Sequence, residues 1–217
     1  EAAKAVTDSK DRPIPGHFWS GNSEQLLFVK DTAGDENFRL YGVDVKTGAQ
    51  RDYTPFDKVR VRMLGGSRKR LDEVLVGINN RDPRLHDVYL LNLKTGELKL
   101  VMKGDGFAGF QTDDDLQVRL GARPNAAGGE DYYQVKDGVV ADKAFLSTSL
   151  EDNATSPLGY TTDGKTLYWM DSRDRDTTAV FDSIMAEKPT SYDELADRVR
   201  AGIRARPAII YRTALEG

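Results

Sequence analysis

Cysteine is absent from the 217 residues, which excludes disulfides and thiolate metal sites and suits oxidising and reducing compartments alike. Histidine is nearly absent: His17 and His86 are the only two, too few for a His-rich metal centre. No run of about 18 apolar residues occurs, so no stretch reads as a membrane-spanning helix. The N-terminus EAAKAVTDSK is too polar for a signal sequence, and Glu1 in place of an initiator Met reads as a processed chain from which an upstream targeting segment has room to be missing. A strong charge excess is lacking too. The 31 basic and 35 acidic residues leave a net charge of -4 with the two signs interspersed, which argues against a nucleic-acid surface. The basic cluster Arg60, Arg62, Arg68, Lys69 and Arg70 has no aromatic residues interleaved for base stacking and reads as a solvated strand and turn.

What is present is an ordinary globular composition, 39% apolar and 30% charged, arranged as a repeat. LLFVKDTAGDENFRLYGVDVKTG at 26–48 returns as VLVGINNRDPRLHDVYLLNLKTG at 74–96, an offset of 48 residues between Gly48 and Gly96. Leu26 and Phe28 fall on Val74 and Val76; Tyr41, Val43 and Val45 fall on Tyr89, Leu91 and Leu93; the Lys-Thr-Gly turn falls on itself. Strands are predicted at 25–30, 38–46 and 50–53, with a hairpin loop at 31–37, and VRVRML at 59–64 leads into the next unit. A third unit follows at 116–123 and 131–138, where Lys136-Asp137-Gly138 replaces the KTG turn, and a fourth at 166–170 and 177–181. A lone strand at 2–6 implies that the chain begins inside a unit.

Four short antiparallel strands in a period of about 40 to 50 residues match a β-propeller blade. The middle strands are apolar on both faces, as stacked sheets require. The fold class is therefore all-β, a partial propeller of about four blades over residues 1–181. The tail at 182–217 differs. Ser191 and Glu194 form a capping box, Leu195, Val199 and Ile203 share a face, and Pro207 ends the one C-terminal helix, before a strand at 208–213.

Several polar clusters are candidates for chemistry. In Asp35-Glu36-Asn37, a carboxylate at a funnel mouth suits a peptide's free amino terminus, although Asp and Asn in a hairpin loop also cap their own backbone. Arg81 and Arg173 occupy the corresponding loops of later units, where an arginine suits a substrate carboxylate or carbonyl and equally ties neighbouring loops together. Glu36, Arg81 and Arg173 are the candidate substrate-binding residues. Asp113-Asp114-Asp115 lacks the following Glu of a calcium loop and reads as a turn; no metal or cofactor is expected. His86 reads as a surface or hydrogen-bonded residue, and Trp19, Tyr41, Tyr89 and Trp169 as core aromatics between blades.

WSGNSEQLLFVKDTAGDENFRLYGVDVKTG, VLVGINNRDPRLHDVYLLNLKTGEL and LYWMDSRDRDTTAVF, in that order, resemble the N-terminal β-propeller of bacterial serine peptidases of the prolyl oligopeptidase family, on the acylaminoacyl-peptidase and dipeptidyl-peptidase side. The resemblance covers residues 5–181 or so. It implies a parent with seven or eight blades followed by an α/β-hydrolase domain, and a funnel that admits peptides and excludes folded proteins. Nothing in the chain matches that hydrolase domain. No GxSxG nucleophile elbow occurs, since Gly65-Gly66-Ser67-Arg68 lacks the second glycine, so no catalytic residue is assigned and the chain is expected to be inactive alone. Its expected partners are a peptide substrate and the missing hydrolase domain. Open strand edges also favour self-association. A stand-alone propeller that binds a protein or cell-envelope component is the alternative.

Overall fold

The computed structural model describes residues 5–7, 13–173 and 179–184, and among them all regular structure is strand apart from one 3-10 turn at Leu150–Asp152. The first sheet is β1 (Gly16–Trp19), β2 (Gln25–Lys30), β3 (Arg39–Asp44) and β4 (Gln50–Asp52), paired in chain order. The second repeats it with β5 (Val61–Gly66), β6 (Glu73–Asp82), β7 (Leu85–Asn92) and β8 (Leu98–Met102). The third holds β9 (Gly109–Thr112), β10 (Val118–Pro124) and β11 (Gly128–Lys136), whose outer side pairs with two short strands, β12 (Val139–Val140) and β13 (Leu146–Ser149). The fourth is β14 (Ser156–Tyr160), β15 (Thr166–Asp171) and β16 (Ala179–Ile184).

The repeat sets the register. Phe28 pairs with Tyr41 and Leu26 with Val43, while 48 residues on Val76 pairs with Tyr89 and Val74 with Leu91. Each KTG turn is closed by a side chain at its start: Asp44 accepts from the Lys46 and Thr47 amides, and Asn92 accepts from Lys94 and Thr95. Gly48 and Gly96 then sit at φ +74° and +76°, a left-handed conformation that glycine enters without steric cost.

Alternation along each strand sends neighbouring side chains to opposite faces. Val74, Val76 and Ile78 of β6 pack with Leu27, Leu40 and Val61 between the first two sheets. Leu75 points the other way, to Val88, Phe107, Val118 and Val135. Leu120, Tyr132, Leu167 and Trp169 fill the third interface. Fully burying each such side chain contributes about 1.5–3 kcal/mol, so three interfaces of this kind hold four sheets as a stack. The Tyr53 hydroxyl adds a bond across the first interface to the Leu93 carbonyl at 2.7 Å.

Residues 5–7 carry no strand, and the rest of the strand expected at 2–6 lies outside the described residues; the first sheet starts at β1. The strand expected at 59–64 to lead into the next unit is β5, the first strand of the second sheet. The third unit's middle strand is corrected in its start, which falls at Gly128 rather than at 131. The helix at 191–206 and the strand at 208–213 lie outside the described residues.

Candidate functional site

Antiparallel order places the loops at two rims. One rim carries the turns after each innermost strand together with the KTG turns; the opposite rim carries the loops between the second and third strands. Glu36, Arg81 and Arg173 all belong to the opposite rim.

Asp35 organises the Glu36 loop. Its carboxylate accepts from the Thr32 and Asn37 amides at 3.2 and 3.0 Å and from the Asn37 side chain at 3.1 Å, and those Asn37 bonds hold it below the usual carboxylate range. Glu36 is left at φ +57° with its side chain 74% exposed. Arg60 of the next sheet donates to its carbonyl at 3.1 and 3.2 Å and approaches its carboxylate at 3.4 Å. The loop thus caps its own backbone and presents one carboxylate outward.

Arg81 grips Asp87 through two parallel 2.8 Å bonds and reaches Asp105 at 2.7 Å. Asp87 also accepts from the Gly104 amide at 2.7 Å, and the Arg81 guanidinium holds its carboxyl below the usual range. Arg173 repeats the grip on Asp171 at 2.9 and 2.6 Å. Burial pushes the Asp171 carboxyl up, but the bonds from Arg173 outweigh it and the net direction is downward. Glu36 and Arg81 are not bonded to one another: each serves its own sheet and the one beside it.

The other rim holds what the sequence did not reveal. Innermost strands of all four sheets end around a recess of about 650 Å³, within the size range of ligand sites. Its wall includes Trp19, Met63, Gly66, Asp114, Leu158 and Tyr160. Trp19 is 60% exposed here, so it is no core aromatic: the end of an innermost strand has no neighbouring sheet above it. Trp169, by contrast, is buried with its ring edge-on to Tyr132, and Tyr41 is half-buried against Phe28. Burial pushes the Tyr160 hydroxyl up to about 12, so it stays protonated.

Beside the recess, the basic and acidic runs meet. Ser67 donates to the Asp114 carbonyl at 2.6 Å, the Arg68 amide to the Asp114 carboxylate at 2.9 Å, and Lys69 pairs with Asp115 at 2.8 Å. Asp113 accepts from the Asp115 and Gln117 amides and from Arg119, closing its turn. The basic run is therefore paired across sheets rather than merely solvated. The sequence signal was the opposite charge of two turns at matching places in consecutive units. His86 is partly buried, with Nε2 unpartnered; burial and the nearby cations Arg62 and Arg60 push its pKa down. Among the described residues no group of His, Asp and Glu side chains fits a metal ion, and no helix is long and apolar enough to cross a membrane.

Four stacked antiparallel sheets with innermost strands lining a concave wall define a partial β-propeller. No protein-family profile matches the chain. It is 41% identical over 181 residues to dipeptidyl aminopeptidase BIII of Pseudoxanthomonas mexicana, covering 82% of this chain and 26% of that protein. It is 31% identical over 195 residues to dipeptidyl peptidase family member 6 of Caenorhabditis elegans, with the same coverage of each. Prolyl oligopeptidase B of Galerina marginata superposes with a TM-score of 0.55 at 12% identity, over 80% of this chain and 24% of that one. The chain belongs to the propeller portion of the prolyl oligopeptidase family, on its dipeptidyl-peptidase side. It spans about a quarter of the length of the curated relatives it matches.

Proposed function

We propose that the chain is the non-catalytic, substrate-gating propeller portion of a prolyl-oligopeptidase-family serine peptidase, in which an α/β-hydrolase domain outside this chain cleaves dipeptides from peptide amino termini. The observation that carries this reading is the 41% identity to dipeptidyl aminopeptidase BIII across 82% of the chain. The innermost strands form a wall past which an extended peptide fits and a folded protein does not. Glu36 receives the free amino terminus, because its carboxylate is outward and held by a single 3.4 Å contact with Arg60. Arg81 and Arg173, oriented by Asp87 and Asp171, face substrate carbonyl or carboxylate groups. Unpaired strand edges let the isolated chain self-associate, and a monomeric mass in light scattering at all concentrations would remove that part of the reading.

The test uses the full-length parent. Glu36→Gln is expected to raise KM for a dipeptidyl chromogenic substrate about tenfold and leave kcat nearly unchanged, the signature of lost ground-state binding of the amine. The isolated chain should not cleave that substrate. Cleavage by the isolated chain, abolished by a serine-directed inhibitor, would overturn the assignment of catalysis to another domain.

A further inference from the structure

The recess on the turn rim lies at the opposite end of the sheets from Glu36, Arg81 and Arg173. Three observations there point to a ligand. First, two enclosed polar atoms of its wall, Asp114 Oδ2 and the Tyr160 hydroxyl, lack any hydrogen-bond partner. Native proteins seldom leave such atoms unpaired, because each unmade bond costs about 1–3 kcal/mol. Second, the wall carries one cation and one anion that do not neutralise each other. Arg68 spends one guanidinium nitrogen on the Thr162 hydroxyl at 3.1 Å and makes no ion pair with Asp114, which takes only the Arg68 amide. The other acids of the wall are satisfied: Glu73 by Arg70 at 2.5 Å and Asp113 by Arg119 at 2.7 Å. Third, apolar groups are left in water beside these charges, with Trp19 60% and Leu158 49% exposed, and a methyl built on Gly66 would meet nothing within 4 Å.

A ligand complementary to this wall has one negative group, one positive group with N–H donors, and an apolar side chain between them. From this we infer that the recess binds short zwitterionic peptides, dipeptides above all, with the carboxylate on Arg68, the ammonium on Asp114 and a bulky side chain against Trp19 and Leu158. The Tyr160 hydroxyl donates to the peptide carbonyl. The guanidinium fork matches a carboxylate in a way a lysine would not. The choice of a dipeptide rests on the proposed peptidase reading, in which dipeptides are the product. The site would then hold product on the side of the propeller away from the amine-binding loop.

The test uses the 217-residue chain itself and isothermal titration calorimetry with Ala-Leu, N-acetyl-Ala-Leu and Ala-Leu amide. Ala-Leu should bind saturably, and either blocking group should weaken binding at least tenfold. Arg68→Gln should weaken Ala-Leu to the level of the amide and make the chain indifferent to amidation; Asp114→Asn should do the same for acetylation. Such non-additivity assigns each charge to its partner, since a residue acting elsewhere leaves the two effects additive. Tryptophan emission gives a second readout, because Trp19 and Trp169 are the only two tryptophans and Trp169 is buried. Ala-Leu should shift the emission of the native chain and not that of Trp19→Phe. Absence of saturable heat with native protein, or equal binding of all three ligands, overturns the inference. That failure would leave the dipeptidyl-peptidase assignment standing on the parent's own assay, while its success without peptidase activity in the parent would leave a peptide-binding propeller.

Discussion

The Asp87 side chain is 2% exposed, yet it is charged, and three bonds make that possible: two from Arg81 and one from the Gly104 amide. Removing one partner of such a pair leaves a buried group unsatisfied, which costs about 3–5 kcal/mol when both are buried. Arg81 is 41% exposed, so water takes up part of the loss and Asp87→Asn is expected to cost about 2–3 kcal/mol at pH 7, read as a shift in denaturation midpoint with unchanged slope. The pH dependence follows from the direction of the shift. Because the folded carboxyl titrates below its unfolded value, its contribution is complete above the ordinary carboxylate range and is lost as pH falls through the lower, folded value. The stability gap between native chain and Asp87→Asn should therefore begin to narrow below about pH 4, where the unfolded carboxyl takes up its proton, and go on narrowing until pH falls below the lower, folded value. A gap that stays constant down to pH 2 would mean that the charge contributes nothing. Arg84, whose pair with Asp82 is 85% exposed on the arginine side, serves as control: Arg84→Ala should leave the midpoint where it is.

Where a loop side chain packs on a strand, a missing side chain matters as much as a present one. A Cβ on Gly121 of β10 would lie 2.5 and 2.7 Å from two atoms of the Phe107 ring. That ring has little room to retreat, with Arg123 over its face at 4.1 Å and Phe110 and Tyr133 at 5.2 and 6.3 Å. Gly121→Ala is therefore expected to destabilise by about 1–3 kcal/mol, and Gly66→Ala, with open space around it, by less than about 0.5, in parallel thermal melts. Equal effects would show that backbone entropy, not the ring contact, decides. The elements themselves were largely legible. The offset of 48 residues placed both β2–β3 and β6–β7 in the same register although their connecting loops differ, because the apolar positions that pair, Phe28 with Tyr41 and Val76 with Tyr89, recur at that offset. The third sheet was harder to read: its outer edge is two pieces, β12 and β13, separated by residues 141–145 that pair only through the Ala141 and Phe145 amides, so no apolar run announces it. Among the site residues, the Asp35 cap of the Glu36 loop followed from residue type. The recess did not, since Trp19, Gly66, Asp114 and Tyr160 come together only when four sheets stack, and alternation alone cannot say which strand end is left uncovered.

Sheets stacked with cores only between consecutive members transmit stability to neighbours first. Leu27 belongs to the interface of the first two sheets, and Leu167 to that of the last two; no buried residue is shared by both cores. Most polar ties likewise join neighbours, such as Tyr53 to Leu93 or Ser67 to Asp114. Arg68 to Thr162 reaches from the second sheet to the fourth, but it is a single exposed bond. Such an array behaves as a chain of units whose stabilities and interface energies add, so a local defect opens its own end first. Leu27→Ala removes a fully buried side chain, at a cost of about 2–5 kcal/mol. Hydrogen exchange followed by mass spectrometry should then show faster exchange in peptides from β1 to β8 and unchanged exchange in β14 and β15. Leu167→Ala should give the reverse gradient, fastest in β14 and β15 and unchanged in β1 to β4. Acceleration of equal size in all four sheets by either variant would mean that the stack opens as one cooperative unit, and nearest-neighbour coupling would have to be abandoned.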